Sequence, residues 1–319
     1  MTFLGKKLPL LQWRSLQSDF DCWYKNGSWD YVERHIFDNI LLYRKCPAPY
    51  NYHPHNPCAW ILDNKSLKYD WVDICPTLKR TKFEPLNLCK ILQGRNIYFL
   101  GDSIARLNYM VLKEELLLAS NRSCPKDNSP GGFHLHMEFD CSGASDRNFT
   151  IRWVSSNHLK LGKSEQHSII WEDHLGAQDL LILNRGAHYA PDEDLLQELD
   201  ATMRYVQHTH PGVSVVYRNT VPGVADWKGK TTLAPLKQKP EVARSWHWNE
   251  FEHQNEISRQ LLETHYPQVL HMDVFSSMVL REDAHYDGLH MCVPGPMSLW
   301  VDFLYNALLN IEKQAPASA

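Results

Sequence analysis

The feature that most constrains this chain is a junction about a third of the way along it. Asn96-Ile97-Tyr98-Phe99-Leu100 is a short apolar run that meets Gly101-Asp102-Ser103 directly, and an amphipathic pattern comes at once after it. Ile104, Leu107, Val111 and Leu118 recur on one helical face, so the order is strand, glycine turn, helix. The alternation continues: a strand at Asp179–Leu183, a helix over 192–209 carrying Leu195, Leu199, Met203 and Val206, and a strand at Val213–Tyr217. A helix over about 248–264, a strand at Val269–Met272 and a closing helix from Pro296 complete it, the last with Met297, Trp300, Val301, Leu304, Leu308 and Ile311 as its apolar stripe. Continuous apolar strands between amphipathic helices predict an α/β fold with a mostly parallel sheet covered on both faces. A chain of 319 residues, 43% hydrophobic, is long enough for one substantial core of that kind.

The first ninety residues read differently. They hold five of the eight cysteines (22, 46, 58, 75 and 89, against 124, 141 and 292 beyond), and the run PAPYNYHPHNP at 47–57 resists regular structure. Residues 1–90 are therefore expected to form a Cys-, Pro- and Trp-rich lobe packed on a main domain at 91–319. An even cysteine count without any CxxC spacing favours disulfides over zinc. Sequons at Asn26, Asn64, Asn121 and Asn148 point the same way, toward N-glycosylation in the secretory pathway, in the Golgi lumen or outside the cell. The opening MTFLGKKLPLLQWRS is too poor in apolar residues for a signal peptide, and no run approaches the roughly 18 residues of a membrane span. Any membrane attachment would then run through a segment absent from this chain. A net charge of −4 with scattered Lys and Arg argues against a nucleic-acid partner.

Three short blocks carry candidate chemistry. Ser103 stands where a strand gives way to a helix, at the sheet edge where open α/β proteins place ligands, and a helix amino terminus offers N–H groups to an oxyanion. By itself the triplet is equally suited to helix capping by Asp102 or Ser103. Asp287-Gly288-Leu289-His290 places a carboxylate three residues before an imidazole, so Asp287 can reach Nδ1 while Nε2 faces a nucleophile. Asn184-Arg185-Gly186 comes directly after the 179–183 strand, and the Asn184 amide and Gly186 N–H, with the Ser103 N–H, are the candidate oxyanion donors. Arg106 and Arg218 are candidate substrate contacts, with buried structural pairing as the other reading of each. The pairs His53/His55, His134/His136 and His208/His210 lack a completing carboxylate or thiol, so no metal site is expected. The proline-interrupted stretch 221–245 reads as a loop or flap, with Trp227, Trp246 and Trp248 nearest to it among eleven tryptophans.

Together, GDS, Asn-x-Gly and a late DxxH resemble the blocks of the SGNH/GDSL hydrolase superfamily. Phe20-Asp21-Cys22, Gly27-Ser28-Trp29, Cys58-Ala59-Trp60, Trp71, Cys75, Gly101-Asp102-Ser103-Ile104-Ala105-Arg106 and His290-Met291-Cys292-Val293-Pro294-Gly295 resemble its PC-esterase branch, in particular the trichome-birefringence-like polysaccharide O-acetyltransferases. Arg185-Gly186-Ala187-His188-Tyr189 departs from the Thr-Gly-His-Trp usual there, and His285-Tyr286 precedes Asp287. The resemblance implies a flavodoxin-like three-layer α/β/α sandwich and a Ser103-His290-Asp287 triad. It also implies disulfides Cys22–Cys75 and Cys58–Cys292, leaving Cys46, Cys89, Cys124 and Cys141 unassigned. It further implies transfer of an acetyl group through an acyl-serine to a polysaccharide or oligosaccharide. No bound cofactor is implied, only an acetyl donor as co-substrate, acetyl-CoA being one candidate. An O-acetyl esterase and a non-catalytic glycan-binding module on the same fold are the alternatives.

Overall fold

Along the chain the elements are α1 (Gln17–Lys25), β1 (Gly27–Tyr31), β2 (Tyr69–Asp73), α2 (Pro85–Leu92), β3 (Ile97–Gly101), α3 (Ser103–Ser120), β4 (His134–Phe139) and β5 (Phe149–Ser155). They continue as β6 (Leu180–Leu183), α4 (Asp192–Thr209), β7 (Ser214–Arg218), α5 (Phe251–His265), β8 (Leu270–Met272), α6 (Val274–Met278) and α7 (Ser298–Gln314). This computed structural model describes residues 13–32, 69–76, 78–120, 133–163, 168–224, 234–241, 244–293 and 295–314. The expectations for Cys46, His53, His55, Cys58, Asn64, Asn121, Cys124 and Trp227, and for part of 221–245, fall outside the described residues.

One six-stranded sheet runs in the order β4-β5-β3-β6-β7-β8, parallel throughout except where β4 pairs antiparallel with β5. Counted among themselves, the parallel strands lie in the order 2-1-3-4-5. Winding reverses between β3 and β6, which opens a crevice beyond their carboxyl ends. Every residue of β3, β6 and β7 is buried, so both sheet faces are covered. Ile97, Phe99, Leu180, Ile182 and Val216 join the core built with α3 and α7, while Tyr98, Leu100, Leu181, Leu183 and Tyr217 join the one built with α4 and α5. That split matches the two-residue period of a strand. The stripe on α7 is wholly buried, and each such side chain is worth roughly 1.5–3 kcal/mol. The hairpin β4–β5 was not among the predicted elements, although Leu135, Met137 and Phe139 alternate with polar residues and are its buried face.

The amino-terminal elements brace the last strand of the sheet and the short helix α6 beyond it. Strands β1 and β2 form a separate two-stranded sheet. Gln17 Nε2 donates to His271 O at 2.9 Å and Gln17 Oε1 accepts from His271 N at 3.1 Å, so one side-chain amide satisfies the outer edge of β8. Trp29 Nε1 donates to Ser277 O at 2.8 Å, and the Arg281 guanidinium lies 4.3 Å from the Trp29 ring centroid. Arg281 itself is fully buried in a bidentate pair with Asp283, at 2.8 and 3.0 Å. The Cys22–Cys75 disulfide is present, and a second, Cys89–Cys141, ties α2 to the turn after β4. Cys292 is also disulfide-bonded, while its expected partner Cys58 is outside the described residues. These bonds fit an oxidising, secretory compartment. Asn26 and Asn148 are both exposed.

Two consequences of this packing for stability can be measured. Arg281→Met strands the Asp283 carboxylate in the interior and should cost about 3–5 kcal/mol in urea denaturation, whereas Arg281→Met combined with Asp283→Leu should cost much less. At the β4 edge, His134 lies 4.5 Å from His174 and 5.7 Å from His136, centroid to centroid. Burial first, then the charges of His174, His136 and Arg152, hold His134 down to about 4. Its folded pKa lies below its unfolded one, so its contribution is intact above about pH 6.5 and is lost as pH falls toward 4. The melting temperature should decline across that window, and His134→Asn should flatten the decline.

Candidate active site

The turn at the end of β3 determines where Ser103 stands. Gly101 has φ +147°, and a Cβ there would lie 3.0 Å from Ala105 Cβ and 3.1 Å from Asn184 O. Asp102 is buried and caps the next helix: its Oδ1 accepts from Ile104 N at 2.8 Å and Ala105 N at 3.4 Å, and its backbone O accepts from Arg106 N at 3.0 Å. Capping thus falls to Asp102, and Ser103 is the first residue of α3, at its positive end.

His290 meets the serine from the loop before α7. Ser103 Oγ lies 2.6 Å from His290 Nε2, and His290 Nδ1 lies 2.7 Å from Asp287 Oδ2. The tautomer that satisfies both carries its proton on Nδ1 and leaves Nε2 to accept from the hydroxyl. Asp287 Oδ1 also accepts from Leu289 N at 2.7 Å and His290 N at 2.6 Å, so the carboxylate fixes its own loop as well as the ring. Burial alone would raise the Asp287 pKa, but the hydrogen bond and charge of His290, with the two backbone N–H groups, outweigh it and hold Asp287 below the usual carboxylate value. Tyr286 lies parallel to the imidazole, at 14° and 5.6 Å between centroids.

The third block is built from an inward-facing scaffold. Asn184 is buried, and Nδ2 donates to Arg218 O at 3.0 Å and to Thr220 Oγ1 at 3.3 Å. Both amide protons therefore face the protein, not the serine, because the exit of β7 offers two acceptors beside them. Gly186 has φ +153°, and a Cβ would come within 2.0 Å of Thr220 Oγ1. Only glycine lets this backbone lie on Thr220, which is itself pinned by a reciprocal pair with Asn255, N to Oδ1 and Nδ2 to O, each 2.8 Å. Between Asn184 and Gly186, Arg185 is buried and bonds Glu198 Oε2 at 2.9 Å, His188 O at 2.5 Å and His158 Nδ1 at 2.9 Å.

Of the two candidate substrate arginines, Arg218 takes the buried structural alternative. It is 1% exposed, donates to Asn219 O at 2.8 Å and lies 5.1 Å from the Trp300 ring centroid, so it faces the core. Burial lowers its pKa to about 10 against the opposing pull of Asp102 and Tyr217. Arg106 is half-buried, with its guanidinium 5.4 Å from the Trp153 ring centroid.

Thr220, Asn255 and Trp248 were not among the predicted site residues. Thr220 had a signal in the sequence, since Asn219-Thr220 comes after an apolar strand just as Asn184 does. Trp248 is wedged between two glycines: Cβ atoms at Gly223 and Gly288 would lie 2.3 and 2.0 Å from its indole, and Val224 N donates to Gly288 O at 2.7 Å. Among the described residues no His, Cys, Asp and Glu group is arranged to hold a metal, and no helix is long and apolar enough to cross a membrane.

A mixed α/β sheet with a serine, an imidazole and a carboxylate in hydrogen-bonded series at its carboxyl edge is consistent with an SGNH-like sandwich and has a general resemblance to esterase- and acyltransferase-like proteins. No protein-family model matches it. It is distantly similar to trichome birefringence-like 7 of Arabidopsis thaliana, 23% identical over 95% of this chain and 77% of that protein. Trichome birefringence-like 20 of the same plant is 22% identical over 72% of this chain, which spans 60% of that relative's length. Among solved structures, the periplasmic domain of a Salmonella ser. Paratyphi A lipopolysaccharide acetyltransferase aligns over 84% of this chain and all of that one, at 13% identity and a TM-score of 0.38.

Gly186→Ala is expected to displace the 184–188 segment from Thr220 and to cost about 1–3 kcal/mol in thermal denaturation. Ser is expected to do no better at this position, and adding Thr220→Ala should recover part of the loss.

Proposed function

We propose that this chain is a serine-dependent carbohydrate O-acyltransferase that moves an acetyl group to a sugar hydroxyl through an acyl-serine. The observation that carries the proposal is the unbroken series Ser103 Oγ, His290 Nε2, His290 Nδ1, Asp287 Oδ2, at 2.6 and 2.7 Å. The 2-1-3-4-5 order of the parallel strands supports the flavodoxin-like reading of the fold and puts Ser103 at its switch point. The carbohydrate side of the reading rests on the resemblance of the sequence blocks to the trichome-birefringence-like polysaccharide O-acetyltransferases, and the distant similarity to two proteins of that name is in keeping with it.

His290 takes the Ser103 proton as Oγ bonds to the acetyl carbonyl carbon, and Asp287, held ionised, stabilises the imidazolium. The oxyanion rests on the Ser103 and Gly186 N–H groups, each worth about 3 kcal/mol to the transition state. Asn184 serves this cradle from beneath by fixing Arg218 O and Thr220, with its amide available as a third donor only if it turns. The carbon–leaving-group bond breaks, His290 returns its proton to the leaving group, and the acetyl remains on Oγ. A sugar hydroxyl then gives its proton to His290 and attacks the ester, and Ser103 recovers the proton as product leaves. The acetyl donor is a co-substrate, acetyl-CoA being one candidate, and the site of action is the secretory pathway, where the exposed Asn26 and Asn148 would carry glycans.

Intact mass spectrometry after incubation with an acetyl donor tests this. Wild type should gain one acetyl group that Ser103→Ala does not, and the adduct should pass to an oligosaccharide. Asp287→Asn should lower turnover by about ten-thousand-fold while donor binding persists. Loss of the adduct to water alone would make the protein an esterase, and absence of any adduct would refute acyl transfer.

A further inference from the structure

Two segments that adjoin the site's loops carry exposed aromatic side chains that neither the core nor the acyl chemistry uses. Trp246 is 78% exposed, an unusual degree for so large an apolar side chain. It and His247 are consecutive residues in left-handed backbone, φ +57° and +60°, a conformation unfavourable for any residue with a Cβ and kept only where neighbours enforce it. The His247 ring lies face to face with Tyr189, 3.9 Å between centroids and 9° between planes, and Tyr189 is itself 36% exposed. This exposed stacked pair, with the exposed Trp246 next to His247 in sequence, is termed the aromatic shelf.

Both sides of the shelf are fixed to the site. Trp248, two residues beyond Trp246, is wedged against Gly288, which sits between Asp287 and His290. Tyr189 lies in the loop that leaves β6 through Asn184-Arg185-Gly186, and Arg185 holds that loop through His188 O. A ligand on the shelf would therefore be registered against Ser103 by short stretches of chain.

We propose that Tyr189, His247 and Trp246 form a subsite for one pyranose unit of the acceptor, a β-linked sugar with all its hydroxyls equatorial. Such a ring shows only C–H bonds on its faces, and these rest favourably on the electron-rich faces of aromatic rings. Its hydroxyls point sideways and remain hydrated, so binding costs little desolvation. The subsite holds the chain while a neighbouring unit presents its hydroxyl to the acyl-serine. This inference rests on the carbohydrate reading of the acceptor.

Calorimetric titration of Ser103→Ala with β-1,4-xylohexaose and with cellohexaose tests it without turnover. At least one hexaose should bind, and adding Trp246→Ala or Tyr189→Ala should weaken binding by about ten-fold, the upper range for one lost aromatic contact. Adding Trp246→Phe should keep affinity within about three-fold. Trp246 is exposed, so its truncation should leave the melting temperature unchanged. No binding of either hexaose, or Ala variants that bind like their parent, would overturn the subsite. So would a concentration-dependent dimer that Trp246→Ala dissolves, since the shelf would then be a protein contact. Fluorophosphonate labelling of Ser103 in the wild-type protein, run in parallel, reads the acyl chemistry separately, so the failure of one idea is not mistaken for failure of the other.

Discussion

The backbone hydrogen bonds that cross the carboxyl ends of β5, β3 and β6 set the level from which every site loop departs. Ser156 N donates to Gly101 O at 3.0 Å, and Asn184 N donates to Leu100 O at 3.1 Å, so three strands finish in register. The β3 strand can end there only because position 101 has no side chain to meet Ala105 and Asn184 O. From that common level, α3 starts with Ser103 and the next loop reaches Gly186 in two residues. The third exit, that of β7, adds Thr220 beneath Gly186. Placement of the serine is thus a property of sheet register more than of any single side chain.

Three buried guanidinium groups lie among the loops that leave this level, and each has a different set of partners. Arg185 has a carboxylate, a carbonyl and an imidazole nitrogen, and it joins the exits of β5 and β6 to α4. Arg281 has Asp283 and the face of Trp29, and so joins the amino-terminal strands to the segment before Asp287. Arg218 has one carbonyl, the Trp300 ring and the field of Asp102. A buried cation is expensive unless paired, so each arrangement tolerates little displacement of its partners.

The alternation of apolar runs and amphipathic stretches made β3, β6, β7, β8 and the long helices α3, α4, α5 and α7 readable, because each is long, periodic and buried on one or both faces. The turns at Ser103 and Asn184 were readable because each ends an apolar strand, and Asp287–His290 because its carboxylate stands three residues before its imidazole. The unreadable features depend on contacts between segments distant in sequence. Nothing local to Arg218 says that Trp300 will cover it, and nothing local to Asn184 says that its amide will turn to Arg218 O and Thr220. The pairing of Cys89 with Cys141 likewise depends on how α2 lies against the β4–β5 hairpin. The β4 strand was a different kind of miss, since its period-two pattern lies openly in the sequence between residues 134 and 139.

The side-chain amide of Gln17 on the outer edge of β8 links residues 254 apart in sequence, and the Trp29 bond to Ser277 spans 248. Contacts of such separation form late, since the intervening chain must first be brought into place. On a ribosome the amino-terminal segment emerges first and has nothing to dock on until β8 and α6 have been made. Ser103, too, is made long before the histidine it faces. The nascent chain therefore carries Ser103 without the His290 imidazole beside it until residue 290 has been made and folded back onto the sheet edge.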